Sequence, residues 1–298
     1  MMVTPSPFLD FQPPKKNELI SWIRLNRTLN LNSRLFYQLL QHYGTAQDVL
    51  QKIPILSKLG RLPFFSICSE QTAEEELKKV QDLQGEIILL GSPFYPSILL
   101  SIPHPPPLLT VLGNKSLLNQ KIIGGTGCRK ASHQANQFAK HLASHLGKNK
   151  YVIATGLSEG IEISLHKGAL CKGTIVILAG GIDVIVPLKH KNLSQKILEY
   201  QGVFISEFPL GVFPTSSHFL RQTRLISGIS KGIILIEATV NSTAFHLTEM
   251  ALEQGRDVFA VPGFPLDPQA YGTNFLIQQG ATLIHSAQDI LNFYDRFF

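Results

Sequence analysis

The side chains best suited to chemistry are cations in glycine-rich turns. Arg129 and Lys130 follow three glycines in the segment Gly124-Gly-Thr-Gly-Cys-Arg-Lys-Ala-Ser132. Glycines let a backbone approach a phosphate closely, and a guanidinium donates paired hydrogen bonds to phosphate oxygens. The segment contains neither G-x-G-x-x-G nor the G-K-[ST] of a P-loop. It therefore predicts a phosphate-binding turn, with a tight strand-to-helix turn that binds nothing as the alternative.

A second glycine-framed turn precedes Lys167. Gly156 and Gly160 frame the turn, and Lys167 follows about two helical turns later, on the helix face that returns toward the loop. A lysine in that position reaches a bound anion. The alternative is a surface lysine that contacts only water.

Two arginines and an aromatic ring stand together further along the chain. Arg221 and Arg224 lie three residues apart on one face of a predicted helix, with Phe219 beside them. Such a group suits a phosphate backbone with exposed bases, although surface arginines without a ligand are the alternative. The loop from Pro262 to Asn274 is predicted either to close the rim of the same site or to serve only as a turn and helix cap.

Groups typical of catalysis or metal binding are poorly represented. Cys68, Cys128 and Cys171 have no C-x-x-C spacing and form no zinc-like pattern with the histidines, and there is no G-x-S-x-G elbow. The cysteines predict free thiols in a reducing cytoplasm, and we expect no metal, no cofactor and no enzymatic reaction. Four glutamates that end strands or enter helices suit either a general base or a cap: Glu159, Glu162, Glu207 and Glu237.

From Pro107 onward, short apolar runs alternate with helix-length amphipathic segments. Runs that are apolar throughout are typical of strands buried on both faces, as in a parallel sheet covered by helices. We therefore predict a doubly wound α/β fold with a mostly parallel sheet, in which ligands bind where strands end and helices begin. The predicted strands are 108–112, 121–125, 151–155, 174–179, 203–207, 233–237, 258–261 and 282–285. The predicted helices include 132–146, 161–171, 193–200, 242–254, 275–279 and 287–293, the last capped by Ser286.

The first part of the chain predicts a separate helical module. Apolar residues recur at helical spacing over 18–49, with Asn32 and Ser33 as capping candidates, and a further helix is predicted over 72–83. A proline cluster follows it. We therefore predict a helical domain over 1–85, a proline-rich connecting segment over 86–107 and the sheet domain over 108–298, with no further domain after it.

The composition predicts a folded, soluble protein. Hydrophobic residues make up 44% of the chain and charged residues 16%, far from the composition of disordered proteins. No apolar stretch approaches the ~20 residues of a membrane helix, and residues 1–10 do not resemble an export signal. We therefore expect a cytoplasmic protein without a membrane partner. Residues 111–298 carry 17 Lys and Arg against 12 Asp and Glu, an excess that permits a polyanionic partner.

Taken in order, segments from about Gly91 to Ala281 resemble the DNA-processing protein A (DprA/Smf) family. Residues 125–129 are similar to the family's glycine-serine-arginine loop, and residues 155–170 are similar to its S-G-L-A-x-G-I-D-x-x-A-H-x-G-A-L segment. Five further motifs of the family are matched in order. Residues 206–209 are similar to its S-E-x-P motif, residues 219–226 to F-P-x-R-N-R-I-I, and residues 236–238 to V-E-A. Residues 260–263 are similar to A-V-P-G, and residues 272–281 are similar to G-x-N-x-L-I-x-x-G-A. The ordered series is more specific than any single motif.

The resemblance implies a Rossmann-like sheet domain preceded by a sterile-alpha-motif-like helical domain. It also implies a homodimer that binds single-stranded DNA without marked sequence preference and delivers it to the RecA recombinase in natural transformation. Arg129, Lys167, Arg221 and Arg224 would then form one anion-binding set. Carried over residue by residue, the DNA-binding residues are Arg129, Lys167, Arg221, Arg224, Gly125, Ser132, Gly156, Phe219 and Asn274.

Several positions depart from the family pattern. Glu159 stands where many members have an arginine, so a repulsive charge replaces a phosphate contact and we expect weaker affinity for DNA. Thr223 replaces the asparagine of R-N-R, and Gly127-Cys128 displaces the serine of the glycine-serine-arginine loop. The segment 241–246 lacks a loop glycine of the family. The winged-helix domain that some members carry is not expected in this chain.

Two other functions remain open. A nucleotide-handling enzyme or sensor related to the lysine-decarboxylase-like phosphoribohydrolases would need P-G-G-x-G-T-x-x-E. The comparable segment, 237–249, lacks these glycines, which disfavours the enzyme. A scaffold that holds RecA without binding DNA is the other alternative.

Overall fold

The structure, a computed structural model, describes residues 18–296. Its strands are β1 Gly85–Leu89, β2 Leu108–Gly113, β3 Lys121–Gly127, β4 Tyr151–Thr155, β5 Thr174–Ile177, β6 Val203–Ser206, β7 Gly232–Ile236, β8 Asp257–Ala260 and β9 Thr282–Leu283. They form one nine-stranded sheet in the order β1-β2-β6-β5-β4-β3-β7-β8-β9. Strand β2 is antiparallel to both of its neighbours, and every other pair is parallel.

Helices cover both faces of this sheet, as the doubly wound prediction requires. They are α1 Leu19–Arg27, α2 Ser33–Tyr43, α3 Ala46–Lys58, α4 Glu70–Asp82, α5 His133–Lys148, α6 Ile161–Ala169, α7 Lys191–Glu199, α8 Ser216–Ile229, α9 Thr243–Glu253, α10 Tyr271–Gln278 and α11 Ala287–Asp295. Ile122 of β3 packs in the core that contains Leu225 of α8, whereas Ile123 packs in the core that contains Leu142 of α5. Successive side chains of a strand point to opposite faces, so the apolar runs are buried on both sides.

The two edges of the sheet differ from the sequence prediction. Strand β1 begins at the last residue of the predicted helical domain, continues into the predicted connecting segment and pairs with β2, from Gly85 opposite Leu112 to Leu89 opposite Leu108. The apolar run at 87–90 gives no indication of its partner in the sequence, because antiparallel pairing across a long connection leaves no local signal. At the other edge, β9 is shorter than the predicted 282–285, and among the strands of residues 18–296 it pairs with β8 alone.

The N-terminal helices share a core with the sheet. Trp22 and Phe36 meet edge to face at 5.3 Å between ring centroids, within the same core as residues of β1, β2 and α8. The Tyr37 hydroxyl donates a 2.7 Å hydrogen bond to the carbonyl of Pro105, which joins α2 to the proline-rich segment. Asn32 caps α2 as predicted. The helical module is therefore packed on the sheet domain and contributes to its surface.

Two further findings bear on the sequence predictions. Cys68, Cys128 and Cys171 are free thiols, as predicted. Across residues 18–296 no helix combines the length and the apolar character that crossing a membrane demands.

The chain reverses its direction across the sheet at β3. From β3 the order runs through β4, β5 and β6 on one side and through β7, β8 and β9 on the other. At such a switch point, the loops that follow neighbouring strands diverge to opposite faces and leave a crevice at the carboxyl ends of the strands. The turns after β3, β4 and β7 therefore surround one crevice.

Candidate functional site

A cavity of about 320 Å³ opens at the switch point. It lies between the turn after β3 and the N-terminal half of α8, and the turn that leads into α9 closes another side. The cavity therefore occupies the place where a doubly wound fold is expected to bind a ligand. Its lining comprises Thr126, Gly127, Cys128, Arg129, Ser158, Glu162, Phe219, Gln222, Thr223, Ile226, Leu247 and residues 241–244.

Two glycines let the backbone close around this cavity. Gly160 has a φ of +77°, and a Cβ there would lie 2.5 Å from the carbonyl oxygen of Arg129. A Cβ on Gly156 would lie 2.7 Å from Oε2 of Glu162 and 2.9 Å from Nε2 of Gln222. At Gly160 a larger residue would collide with backbone, and at Gly156 it would displace the ends of these two side chains. The second glycine-framed turn of the sequence thus packs directly against the turn that carries Arg129.

Arg129 supplies positive charge at the mouth of the cavity. Its guanidinium lies 5.9 Å from the centroid of the Phe219 ring. Deeper in the cavity, Glu162 accepts hydrogen bonds from the Ser158 N–H at 2.8 Å and from the Thr126 hydroxyl at 3.2 Å. Burial raises the pKa of Glu162, while these hydrogen bonds and the charge of Arg129 oppose the rise. The cavity thus combines a cation, an aromatic ring and a carboxyl group whose charged form is disfavoured.

A second cavity, of about 420 Å³, adjoins the first on the side of the loop after β5. Arg129 and Phe219 line both cavities, and Lys130 adds a second cation to the second one. Glu159 lines this cavity as well, and its carboxylate forms an ion pair with Lys189. The repulsive charge predicted at Glu159 is therefore compensated by a lysine from a distant part of the chain.

Arg221 and Arg224 lie on the other flank of α8. Glu207, which is buried directly after β6, accepts a 2.9 Å hydrogen bond from Nε of Arg221 and a 2.8 Å hydrogen bond from Nη2 of Arg224. The Arg221 guanidinium also lies 4.5 Å from the centroid of the Phe208 ring. The two arginines form one cluster, as their spacing predicts, but this cluster faces the helical module and not the cavities around Arg129.

Lys167 and Asn274 are also placed apart from Arg129. Lys167 is exposed in the last turn of α6, and its charge acts on His190, whose pKa is lowered mainly by burial. The side chain of Asn274 makes hydrogen bonds of 3.1 and 3.0 Å with the backbone of Gly263 and so holds the loop before α10. The structure therefore brings neither residue to the Arg129 cavities.

Gly125 and Ser132 support the turn that carries Arg129. A Cβ on Gly125 would lie 2.5 Å from Leu165, so this glycine allows α6 to pack on β3. Ser132 caps α5, and its hydroxyl donates a 2.6 Å hydrogen bond to Glu237 at the end of β7. Both residues position the turn, and the cations Arg129 and Lys130 lie exposed on it.

The sequence analysis did not identify Gln222 or Lys189 as residues of the site. It predicted Glu162 only as a helix cap or a general base. Gln222 follows Phe219 by three residues, so helical spacing alone places both on one side of α8. Glu162 follows Gly160 closely in the first turn of α6, which is also a local signal. No sequence signal links Lys189 to Glu159, because only the folded chain brings them together.

Comparison with known proteins extends the match to most of the chain. A family model described as DNA recombination-mediator protein A matches residues 86–295, and one described as the DprA-like N-terminal HHH domain matches residues 16–78. Protein Smf of Escherichia coli (strain K12) is 34% identical over 74% of this chain, and the matched region spans 60% of that relative's length.

Two solved structures are similar to this one. DNA processing protein A from Streptococcus pneumoniae is superposed with a TM-score of 0.66 and 29% identity, covering 89% of this chain and 98% of that chain. A structure of DNA processing protein A from Helicobacter pylori, which describes the single-stranded DNA binding mode of that protein, is superposed with a TM-score of 0.66 and 25% identity. The match covers 72% of this chain and 97% of that chain. Because the family model spans well over half of the sequence and agrees with the ordered motifs, this chain belongs to the DNA-processing protein A (DprA/Smf) family of DNA recombination mediators.

Proposed function

We propose that this protein binds single-stranded DNA in the two adjoining cavities around Arg129. The observation that carries the proposal is the pairing of the Arg129 guanidinium with the Phe219 ring at the switch point of the sheet. Proteins hold single strands with cations on the phosphates and aromatic rings on the bases. The similarity to the Helicobacter pylori protein, whose single-stranded DNA binding has been described structurally, supports this ligand.

In this proposal, Arg129 and Lys130 contact the phosphate backbone and aromatic side chains contact the bases. Phe219 lies inside the crevice, and Phe213, which is 71% exposed, precedes Pro214 on the wall of the second cavity. Stacking on aromatic rings tolerates any base, so sequence preference is weak. Because binding releases counterions from the DNA, the affinity falls as salt is added.

A homodimer built on the β9 edge of the sheet is part of the proposal. Val240, Tyr271, Phe275 and Leu283 line one shallow depression beside this edge, and all four are at least 43% exposed. Contiguous exposed apolar groups next to a sheet edge are typical of a contact between copies. Phe275→Glu is expected to yield monomers in analytical ultracentrifugation. Phe64→Glu, which changes an exposed ring on the helical module, should leave the dimer intact.

The bound strand is passed to the RecA recombinase in the cytoplasm, as in natural transformation. Membership of a family of DNA recombination mediators supports this role, and it is one of binding and delivery with no reaction catalysed. Addition of the protein should speed RecA filament formation on a single strand. A variant that cannot bind DNA should lose this effect.

Fluorescence anisotropy of a labelled oligothymidine over a salt series tests the DNA-binding proposal. Arg129→Ala is expected to lower the affinity about ten-fold and to reduce the salt slope by about 0.7. The matched control is Lys148→Ala, which removes an exposed charge just before β4, at the amino-terminal ends of the strands and so away from the crevice. Equal affinity of the Arg129 variant and the wild type would refute the assignment of the site.

A further inference from the structure

A large polar groove runs between the helical module and the sheet domain, on the flank of α8 opposite the Arg129 cavities. Its volume is about 1080 Å³. Its walls are the end of α1 with the turn into α2, the segment before α4, the start of the proline cluster, the loop after β6, and α8. The amide and hydroxyl side chains along it are Asn26, Thr28, Asn30, Asn32, Ser33, Ser66, Ser69 and Thr72.

The groove carries an excess of positive charge. Among its described lining residues are four arginines and two glutamates. Both glutamates are already neutralised, because Arg27 donates to Glu76 at 2.7 Å and Arg221 and Arg224 donate to Glu207. The fourth arginine, Arg34, is exposed in the first turn of α2 and has no ion pair with any residue in 18–296.

Hydrogen bonds to Glu76 and Glu207 hold three of the four arginines of the groove in place. Arg27 spans the two domains, because Nη1 donates a 3.0 Å hydrogen bond to the Glu207 carbonyl while Nε and Nη2 hold Glu76. In residues 18–296 the two terminal nitrogens of Arg221 have no hydrogen-bond partner, and its side chain is 49% exposed. These donors, together with Arg34, point to an anionic ligand with repeated charges.

The groove and the Arg129 cavities lie on two sides of one helix, α8. Phe219 faces the cavities, and Arg221 lies about 200° further around α8, on the groove side. Leu220, between them, is 55% exposed and forms the ridge. The helix is about 10 Å across, so a single flexible strand crosses this ridge within a few nucleotides.

We infer that the groove is a second contact surface for the same single strand, which leaves the Arg129 cavities, crosses α8 at Leu220 and passes between Arg221 and Arg34. This inference rests on the proposed function. The helical module thereby takes part in DNA binding through α2. An acidic peptide would also match the charge, but the position of the groove across α8 from the Arg129 cavities favours DNA.

The three native cysteines provide the test. Cys68 lines the groove, Cys128 lines the first cavity, and Cys171 is exposed outside both. Alkylation rates of the three thiols are measured by mass spectrometry with and without a saturating oligothymidine of about 20 nucleotides. We expect the oligonucleotide to slow alkylation of Cys68 and Cys128 at least about five-fold and to leave Cys171 unchanged.

Arg34→Glu is expected to abolish protection of Cys68 and to preserve protection of Cys128. The matched control is Arg61→Glu, a charge reversal at an exposed site in the same module but outside the groove. Protection of Cys128 without Cys68 in the wild type would overturn the inference while leaving the proposed function standing. Protection of Cys68 by polyglutamate and not by DNA would overturn it in favour of a peptide. If anisotropy detects no DNA binding and the oligonucleotide protects none of the three thiols, the proposed function itself is wrong.

Discussion

Arg224 and Glu207 form a buried ion pair, with 2.8 Å between Nη2 of the arginine and Oε2 of the glutamate. The Glu207 side chain is 4% exposed and that of Arg224 is 21% exposed. Arg224 also donates a 2.8 Å hydrogen bond to the carbonyl of His104. The pair therefore ties α8 to the end of β6 and to the proline-rich segment, and it fixes the helix that carries Phe219.

Arg224→Ala is expected to lower the free energy of unfolding by about 2 kcal/mol, because a buried carboxylate loses a charged hydrogen-bond donor. Arg221→Ala should cost less, since that side chain is half-exposed. Chemical denaturation measures both effects. In a Glu207→Gln background the cost of Arg224→Ala should shrink. If it does not, the ion pair contributes nothing to the stability of the fold.

Lys189→Ala should weaken DNA binding, because it leaves the charge of Glu159 uncompensated beside the second cavity. Glu159→Ala should strengthen binding, since it frees Lys189. Each change is expected to be about two- to five-fold, the size of an exposed charge interaction. The double variant should return close to the wild-type affinity. Anisotropy at low salt gives the comparison, and two single variants with the same sign of effect would contradict it.

Glu162→Gln should stabilise the fold relative to the wild type by an amount that grows as the pH rises from about 4 to 7. Burial raises the pKa of Glu162 above the ordinary value of a glutamate. The carboxyl group therefore contributes stability that is present at low pH and is lost as the pH rises through the folded-state pKa. Glutamine stays neutral throughout. Denaturation at several pH values tests this, with the exposed Glu199→Gln as the control; a pH-independent difference would argue against it.

His166 should make the fold less stable in acid. Burial lowers its pKa from 6.5 to about 4, with hydrogen-bond contacts to Gly156 at 2.7 Å and Thr174 at 2.9 Å. The unfolded chain therefore takes up a proton before the folded chain does, so stability is full above pH 6.5 and falls toward pH 4, by on the order of 3 kcal/mol.

Comparison of His166→Gln with the wild type over this range isolates the contribution of His166. The variant should lose part of the acid sensitivity, while His141→Gln, at an exposed position on α5, should retain all of it. Identical pH profiles for the wild type and the His166 variant would show that this histidine does not titrate with unfolding.

The strands and helices of the sheet domain were predictable because their signals are local. Apolar runs mark β4 and β5, and amphipathic spacing marks α5 and α9. Glycine-rich turns marked the loops at the switch point, and the ordered motifs indicated the family. The pairing of β1 with β2 was not predictable, because nothing within either segment specifies which residues lie opposite each other.

The sequence alone determined which cations could bind an anion, namely Arg129, Lys167, Arg221 and Arg224. Only the tertiary structure decided that they do not form one cluster. Helix α8 turns Phe219 toward Arg129 but Arg221 and Arg224 toward Glu207, and α6 carries Lys167 away from the crevice. Helical spacing defines which residues share one face of α8. The packing of α8 between the crevice and the helical module decides which groups each face contacts.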